Sequence, residues 1–75
     1  MDIKILFGSN LKKMRTNKGW SQETLALNSN IDRTYIPSIE SGKRNVSITI
    51  IQKLAIALQV DISDFFKETQ PCKKK

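Results

Sequence analysis

An all-α fold of five short helices is predicted for this 75-residue chain, and three observations predict it. Apolar residues recur at helical spacing, as at Ile3, Phe7, Leu11 and Met14 and again at Leu54, Ala55 and Leu58. Short polar residues that favour helix starts, Ser21, Asp32, Ser47 and Asp61, stand directly before such runs. No period-2 alternation is long enough to support a strand, and the β-branched stretch from Val46 to Ile51 comes nearest to one.

The first helix spans about Ile3 to Asn17, with Leu6 joining the apolar stripe and Lys12, Lys13 and Lys18 on wetter faces. Gly8 inside it costs about 1 kcal/mol relative to alanine, which implies a close neighbour at that turn, and Gly19 supplies the stop. Ser21 caps a second helix running to about Asn28, and Glu23 favours its positive end. Ser29, Asn30 and Ile31 form a turn in which Asn30 is the candidate for a left-handed backbone. Asp32 caps a third helix, Arg33 to Glu40, which Ser41 and Gly42 end, and Lys43 to Val46 follow as a polar, basic loop. Ser47 opens a fourth helix through Leu58, and Asp61 caps a fifth, Ile62 to Phe66. One domain is expected over residues 1–68, followed over 69–75 by a basic, disordered tail holding Pro71, Cys72 and three lysines.

Composition narrows the function classes. Thirteen Lys and Arg against seven Asp and Glu leave +6 at pH 7, which favours nucleic acid, an acidic membrane face or an acidic protein as partner. Lys73, Lys74 and Lys75 supply half of that charge, so where the remaining cations sit matters more than the total. A single cysteine and the absence of histidine exclude an intramolecular disulfide and a four-ligand zinc site, and no cofactor is expected. No apolar run approaches the ~20 residues of a membrane span, and Met1 to Phe7 lacks the apolar stretch of a signal peptide. A cytoplasmic protein with no membrane partner is expected. Catalysis is disfavoured as well: nucleophiles have no histidine base, and no G-x-S-x-G, phosphate loop or paired-carboxylate pocket is evident.

Two capped helices joined by a turn of about three residues describe a helix-turn-helix. The second of them carries the chemistry: Arg33, Thr34 and Tyr35 crowd its first turn, Ser38 lies one turn on, and Ile36 and Ile39 supply the inward face. A helix in the major groove reads base edges with its N-terminal residues. Arginine suits guanine O6 and N7, and threonine suits bases or a thymine methyl.

These residues resemble a known family. S-Q-E-T-L-A from Ser21 to Ala26, T-Y-I-P-S-I-E-S-G-K-R-N from Thr34 to Asn45 and I-Q-K-L-A-I-A-L from Ile51 to Leu58 look like the Cro/C1-type (XRE-like) helix-turn-helix domain of phage repressors. The resemblance covers about Phe7 to Phe66, and it implies the five-helix, lambda-repressor-like architecture. Within the family, the small size, the turn S-N-I-D-R-T-Y-I and the R-N after the third helix look most like controller proteins of restriction–modification systems. It implies that Gln22 meets a DNA phosphate, that Arg33, Thr34, Tyr35 and Ser38 face bases or adjacent phosphates, and that Lys43, Arg44 and Asn45 meet the backbone or reach nearby bases. Such contacts fit helix-start N–H groups and cationic side chains. It also implies a structural, partly buried ion pair between Arg15 and Glu40. Three positions depart from the pattern. Pro37 removes an N–H near the start of the third helix, so a kink or a late start is expected. Asn30 and Gln59 stand where the family often has glycine, and Gln59 forced into the left-handed region costs about 1 kcal/mol.

The implied function is a sequence-specific, double-stranded DNA-binding transcriptional regulator. For an activator, RNA polymerase would be a further partner. A phage-type repressor and an antitoxin-like protein-binding module are the alternative readings. Trp20 and Phe7 are expected in the core or at its edge. Ile48, Ile51, Leu58, Val60, Ile62 and Phe65 exceed what one small core needs, and are candidates for a homodimer interface. A two-fold dimer would set two recognition helices about 34 Å apart, matching an inverted-repeat target.

Overall fold

The computed structural model describes residues 2–68. Four α-helices, α1 (Ile3–Asn17), α2 (Gln22–Ser29), α3 (Tyr35–Glu40) and α4 (Ile48–Leu58), are followed by a 3-10 helix, Ile62–Phe66. All regular structure among the described residues is helical. The tail expected over 69–75, with Cys72, lies outside them.

Side-chain caps form at Ser21 and Ser47, as the sequence implies, and also at Asp2. Asp2 accepts from the Lys4 N–H at 2.9 Å, Ser21 from Thr24 at 3.0 Å and Ser47 from Ile50 at 3.2 Å, each relieving an orphan donor of a helix start. α2 and α4 end alike: Asn30 and Gln59 both have φ 59°. The Ile31 and Val60 N–H groups fold back to the Ala26 and Ala55 carbonyls, each at 3.0 Å.

Phe7 and Leu11 from α1, Leu25 and Ala26 from α2, Ile36 and Ile39 from α3, and Leu54, Ala55 and Leu58 from α4 meet in one buried core with Ile31 and Phe65. Phe7 packs its ring 4.8 Å from Phe65 and 5.5 Å from Phe66, so the 3-10 helix closes the base of α1. Asn10, buried, pins that closure by donating to the Phe65 and Lys67 carbonyls at 2.7 and 2.8 Å. Trp20 is half-buried against the core, as expected. At Gly8, α1 meets the end of α3 backbone to backbone: a Cβ there would overlap the Ile39 carbonyl oxygen and lie 2.9 Å from that of Glu40.

Three expectations are corrected. α3 begins at Tyr35, two residues later than the Asp32 cap implied. Pro37 has no N–H for the Arg33 carbonyl, so Ile36 takes it at 3.3 Å and Tyr35 bonds the Asp32 carbonyl at 3.0 Å, a tighter turn ahead of the α-helix. The fifth helix is 3-10; with five residues it is too short to gain from the α ladder, and Asp64 reaches back to the Asp61 N–H at 3.1 Å. Leu58 and Phe65, candidates for a dimer face, are fully buried. Leu58 shares a helix face with Leu54 and Ala55, and Phe65 lies under Phe7. Ile51 and Val60 are half-buried against the core, whereas Ile48 and Ile62 are exposed.

Two substitutions should move stability in opposite directions in urea melts. Gly8→Ala is expected to lose about 1–3 kcal/mol despite alanine's better helix propensity, because the obstructing atoms are backbone. Gln59→Gly is expected to gain about 1 kcal/mol by removing a side chain from a left-handed position.

Candidate nucleic-acid interface

The scaffold of the candidate site is a nearly dry ion pair. Arg15 near the end of α1 donates Nε to Glu40 Oε2 at 2.6 Å and Nη2 to Glu40 Oε1 at 3.1 Å. The side chains are 11% and 4% exposed. Arg15 Nη1 also donates to the Trp20 carbonyl at 2.8 Å, and Gln22 Nε2 donates to Glu40 Oε1 at 3.1 Å. One carboxylate thus ties the end of α1, the start of α2 and the end of α3 together. Bidentate geometry with further donors is what allows such a pair to offset its desolvation.

From this clamp α3 lies on the core through Ile36 and Ile39 and leads back to an exposed entry turn. Asp32 accepts from the Thr34 N–H and from the Thr34 hydroxyl, both at 2.9 Å, ordering the turn that carries Arg33 and Thr34. The backbone bond first, then the hydroxyl, holds the Asp32 carboxyl below its usual range, with Arg33 adding its charge. A depressed folded pKa means that this support is present above the unfolded pKa and lost as pH falls through the folded one. It is therefore intact at neutral pH. Arg33 stands in water, its guanidinium 3.6 Å from Glu23 on α2, and both side chains are more than two-thirds exposed, at 72% and 75%.

The basic loop lies beside the same helix. Its backbone is tied to α3 by the Lys43 N–H, which donates to the Ser38 carbonyl at 3.1 Å. Arg44 folds back so that its guanidinium sits 4.3 Å from the centre of the Tyr35 ring and its Nε donates to Ser38 Oγ at 3.0 Å. Tyr35, Arg44 and Asn45 line a cleft of about 330 Å³ with Ile39, Val46, Ser47 and Ile50, and Gln22, Glu23, Arg33, Thr34 and Pro37 line a second one of about 300 Å³.

Of the expected site residues, Arg33, Thr34, Tyr35, Lys43, Arg44 and Asn45 are exposed and Ser38 is half-buried. Gln22 is half-buried as well and engaged with Glu40. The expected Arg15–Glu40 pair is present. The pairing of Glu23 with Arg33 and the stacking of Arg44 on Tyr35 were not foreseen, since neither follows a helical i, i+4 spacing and both depend on how the turns fold. Ile56, 69% exposed, was missed among the apolar candidates. Its position roughly opposite Leu54 and Leu58 on the helical wheel could have signalled it.

The helix-turn-helix family profile matches residues 11–65. The control protein C.MunI of a Mycoplasma species is 46% identical over 70 residues, covering 92% of this chain and 95% of that protein. The control protein C.BamHI of Bacillus amyloliquefaciens is 44% identical over 68 residues, covering 85% and 84%. The crystal structure of the restriction-modification controller protein C.AhdI from Aeromonas hydrophila superposes with a TM-score of 0.81 at 48% identity, covering 84% of this chain and 96% of that one.

The clamp is testable by stability alone. Glu40→Ala leaves Arg15 charged and nearly dry, and is expected to cost about 3–5 kcal/mol. Glu40→Gln keeps one acceptor oxygen for Arg15 while its NH2 meets a donor, and is expected to cost less than Glu40→Ala. Equal urea midpoints for Glu40→Ala and the parent would show that the pair contributes nothing.

Proposed function

The chain belongs to the helix-turn-helix family of DNA-binding transcriptional regulators, and we propose that it is the controller protein of a restriction–modification system, acting in the cytoplasm on an inverted-repeat operator as a homodimer. One observation supports the reading: Tyr35, which opens α3 directly after the exposed Arg33 and Thr34, lies against Arg44 of a basic loop whose Lys43 N–H bonds back to Ser38 on that helix.

With the start of α3 in the major groove, Arg33 is the residue for a guanine edge and Thr34 for a neighbouring base or thymine methyl. Arg33 exchanges Glu23 for DNA at little cost, because an exposed pair is worth about 0–1 kcal/mol. Gln22 has a second amide N–H to offer a phosphate beyond the one held by Glu40. Lys43 and Asn45 fix register through the backbone, as phosphate contacts do.

Dimerisation is supported by what α4 leaves in water. Ile48, Gln52 and Ile56 follow one another at four-residue steps and form a single ridge, with Ile48 82% and Ile56 69% exposed and Ile62 beyond the helix at 45%. An isologous contact through this ridge removes apolar surface from water on both copies.

Electrophoretic binding to the DNA upstream of its own gene, against random DNA and across salt, tests the regulator. A preference for that DNA is expected, and equal affinity for random sequence at every salt concentration would refute sequence-specific regulation. Arg33→Ala should relax discrimination at one base pair by about 1–3 kcal/mol, whereas Lys43→Ala should weaken all sequences nearly alike. Ile56→Glu is expected to sediment as a folded monomer where the parent sediments as a dimer. Dimers of unchanged stability in that variant would move the interface elsewhere.

A further inference from the structure

Arg44 has the most completely built surroundings of any cation on the α3 surface. Its guanidinium carbon lies over the Tyr35 ring, 4.3 Å from the ring centre, and its Nε–H donates to Ser38 Oγ at 3.0 Å. The Ser38 hydroxyl donates its own proton to the Tyr35 carbonyl at 2.9 Å, which turns its lone pairs toward the arginine. The loop behind it is held as well, by Gly42 N–H on the Ile39 carbonyl at 3.0 Å, Lys43 N–H on the Ser38 carbonyl at 3.1 Å and Ser41 Oγ on that same carbonyl at 3.1 Å.

A guanidinium held over an aromatic ring with its Nε engaged has little rotational freedom. What it still presents is the edge formed by Nη1 and Nη2, for which no hydrogen-bond partner occurs among the described residues. Two parallel donors fit a pair of acceptors on DNA, either two phosphate oxygens or O6 and N7 of a guanine. A loose arginine would lose its rotamer freedom on binding, whereas this one has lost most of it already.

Resting on the DNA-binding reading above, we infer that Tyr35 and Ser38 are positioning residues for Arg44. They act on DNA through the arginine they hold, and the three side chains work as one unit instead of three separate contacts.

A double-mutant cycle on the upstream duplex, joined to NMR of the free protein, tests this. In the free parent the Arg44 Nε–Hε resonance should be shifted upfield by the tyrosine ring, lose that shift in Tyr35→Ala and keep it in Tyr35→Phe. On DNA, Arg44→Ala should lose about tenfold in affinity, the lower part of the range for a charged contact. Tyr35→Ala alone should lose about two- to fivefold, the worth of an exposed cation–π contact. In the Arg44→Ala background it should lose nothing further. Tyr35→Phe should recover most of the Tyr35→Ala loss, since the ring and not its hydroxyl holds the arginine. Uniform loss in Arg44→Ala with a salt slope lower by about one identifies the acceptors as phosphate, and loss confined to the preferred sequence identifies guanine.

A Tyr35→Ala loss that persists undiminished without Arg44, or a Tyr35→Phe no better than Tyr35→Ala, overturns the inference. An unshifted Arg44 resonance overturns it too, and leaves the DNA-binding reading untouched. Failure of the parent to prefer its upstream DNA would defeat that reading while the NMR still reports whether the arginine is held.

Discussion

The fold turns on one carboxylate. Glu40 receives two guanidinium N–H groups from Arg15 and one amide N–H from Gln22, and it does so almost out of water, with 4% of its side chain exposed. A charge in that setting is costly unless its lone pairs are filled, so the helices that supply the donors must stand where they do. Gly8 is the steric counterpart of the same constraint. Without a Cβ, α1 can lie against the Ile39 and Glu40 carbonyls, and that approach brings the end of α3 within reach of Arg15. The direction in which α3 leaves the core is therefore set by a hydrogen-bond requirement at one end of the helix and a close backbone contact at the same end.

At its other end α3 is weakly determined by helix physics. Six residues with a proline third among them cannot gain much from intrahelical bonds. Side chains outside the helix make up the difference: Asp32 orders the entry through Thr34, and the loop that follows is bonded back through Lys43 and Arg44. Shortening the helix has a functional consequence. Arg33 and Thr34 lie on a tight turn ahead of α3 and not on its first α-turn, so the turn and not the helix sets where their side chains stand.

Local rules made much of this legible in the sequence. Caps at Ser21 and Ser47, the left-handed Asn30, the close neighbour of Gly8 and the late start caused by Pro37 each depend on residues a few positions apart, where backbone sterics and hydrogen bonding dominate. The exposed polar residues around α3 were legible for the same reason. What stayed hidden depends on how distant segments meet. Leu58 and Phe65 are as apolar as Ile48 and Ile56, and only the packing of α4 and the 3-10 helix against α1 and α2 decides which of them are buried. Asn10 reads as an ordinary polar helix residue until the chain returns to present the Phe65 and Lys67 carbonyls. The partners of Arg33 and Arg44 were hidden likewise, since a turn and a loop bring them together.

Exposure also separates the two arginine–carboxylate pairs that bracket the recognition surface. Arg15 and Glu40 meet at 2.6 Å and are nearly dry, whereas Arg33 and Glu23 stand 3.6 Å apart in water. Removing a partner from the first strands a buried charge, so it holds a single geometry and serves as scaffold. The second is worth about 0–1 kcal/mol, and salt weakens it further, so its arginine changes partner readily. The proposed DNA binding uses both: a helix held so that it does not tilt, and at its entry a side chain whose resting contact is weak enough to give up. The same chemical pair supplies rigidity in one place and exchangeability in the other, and the amount of water around it decides which.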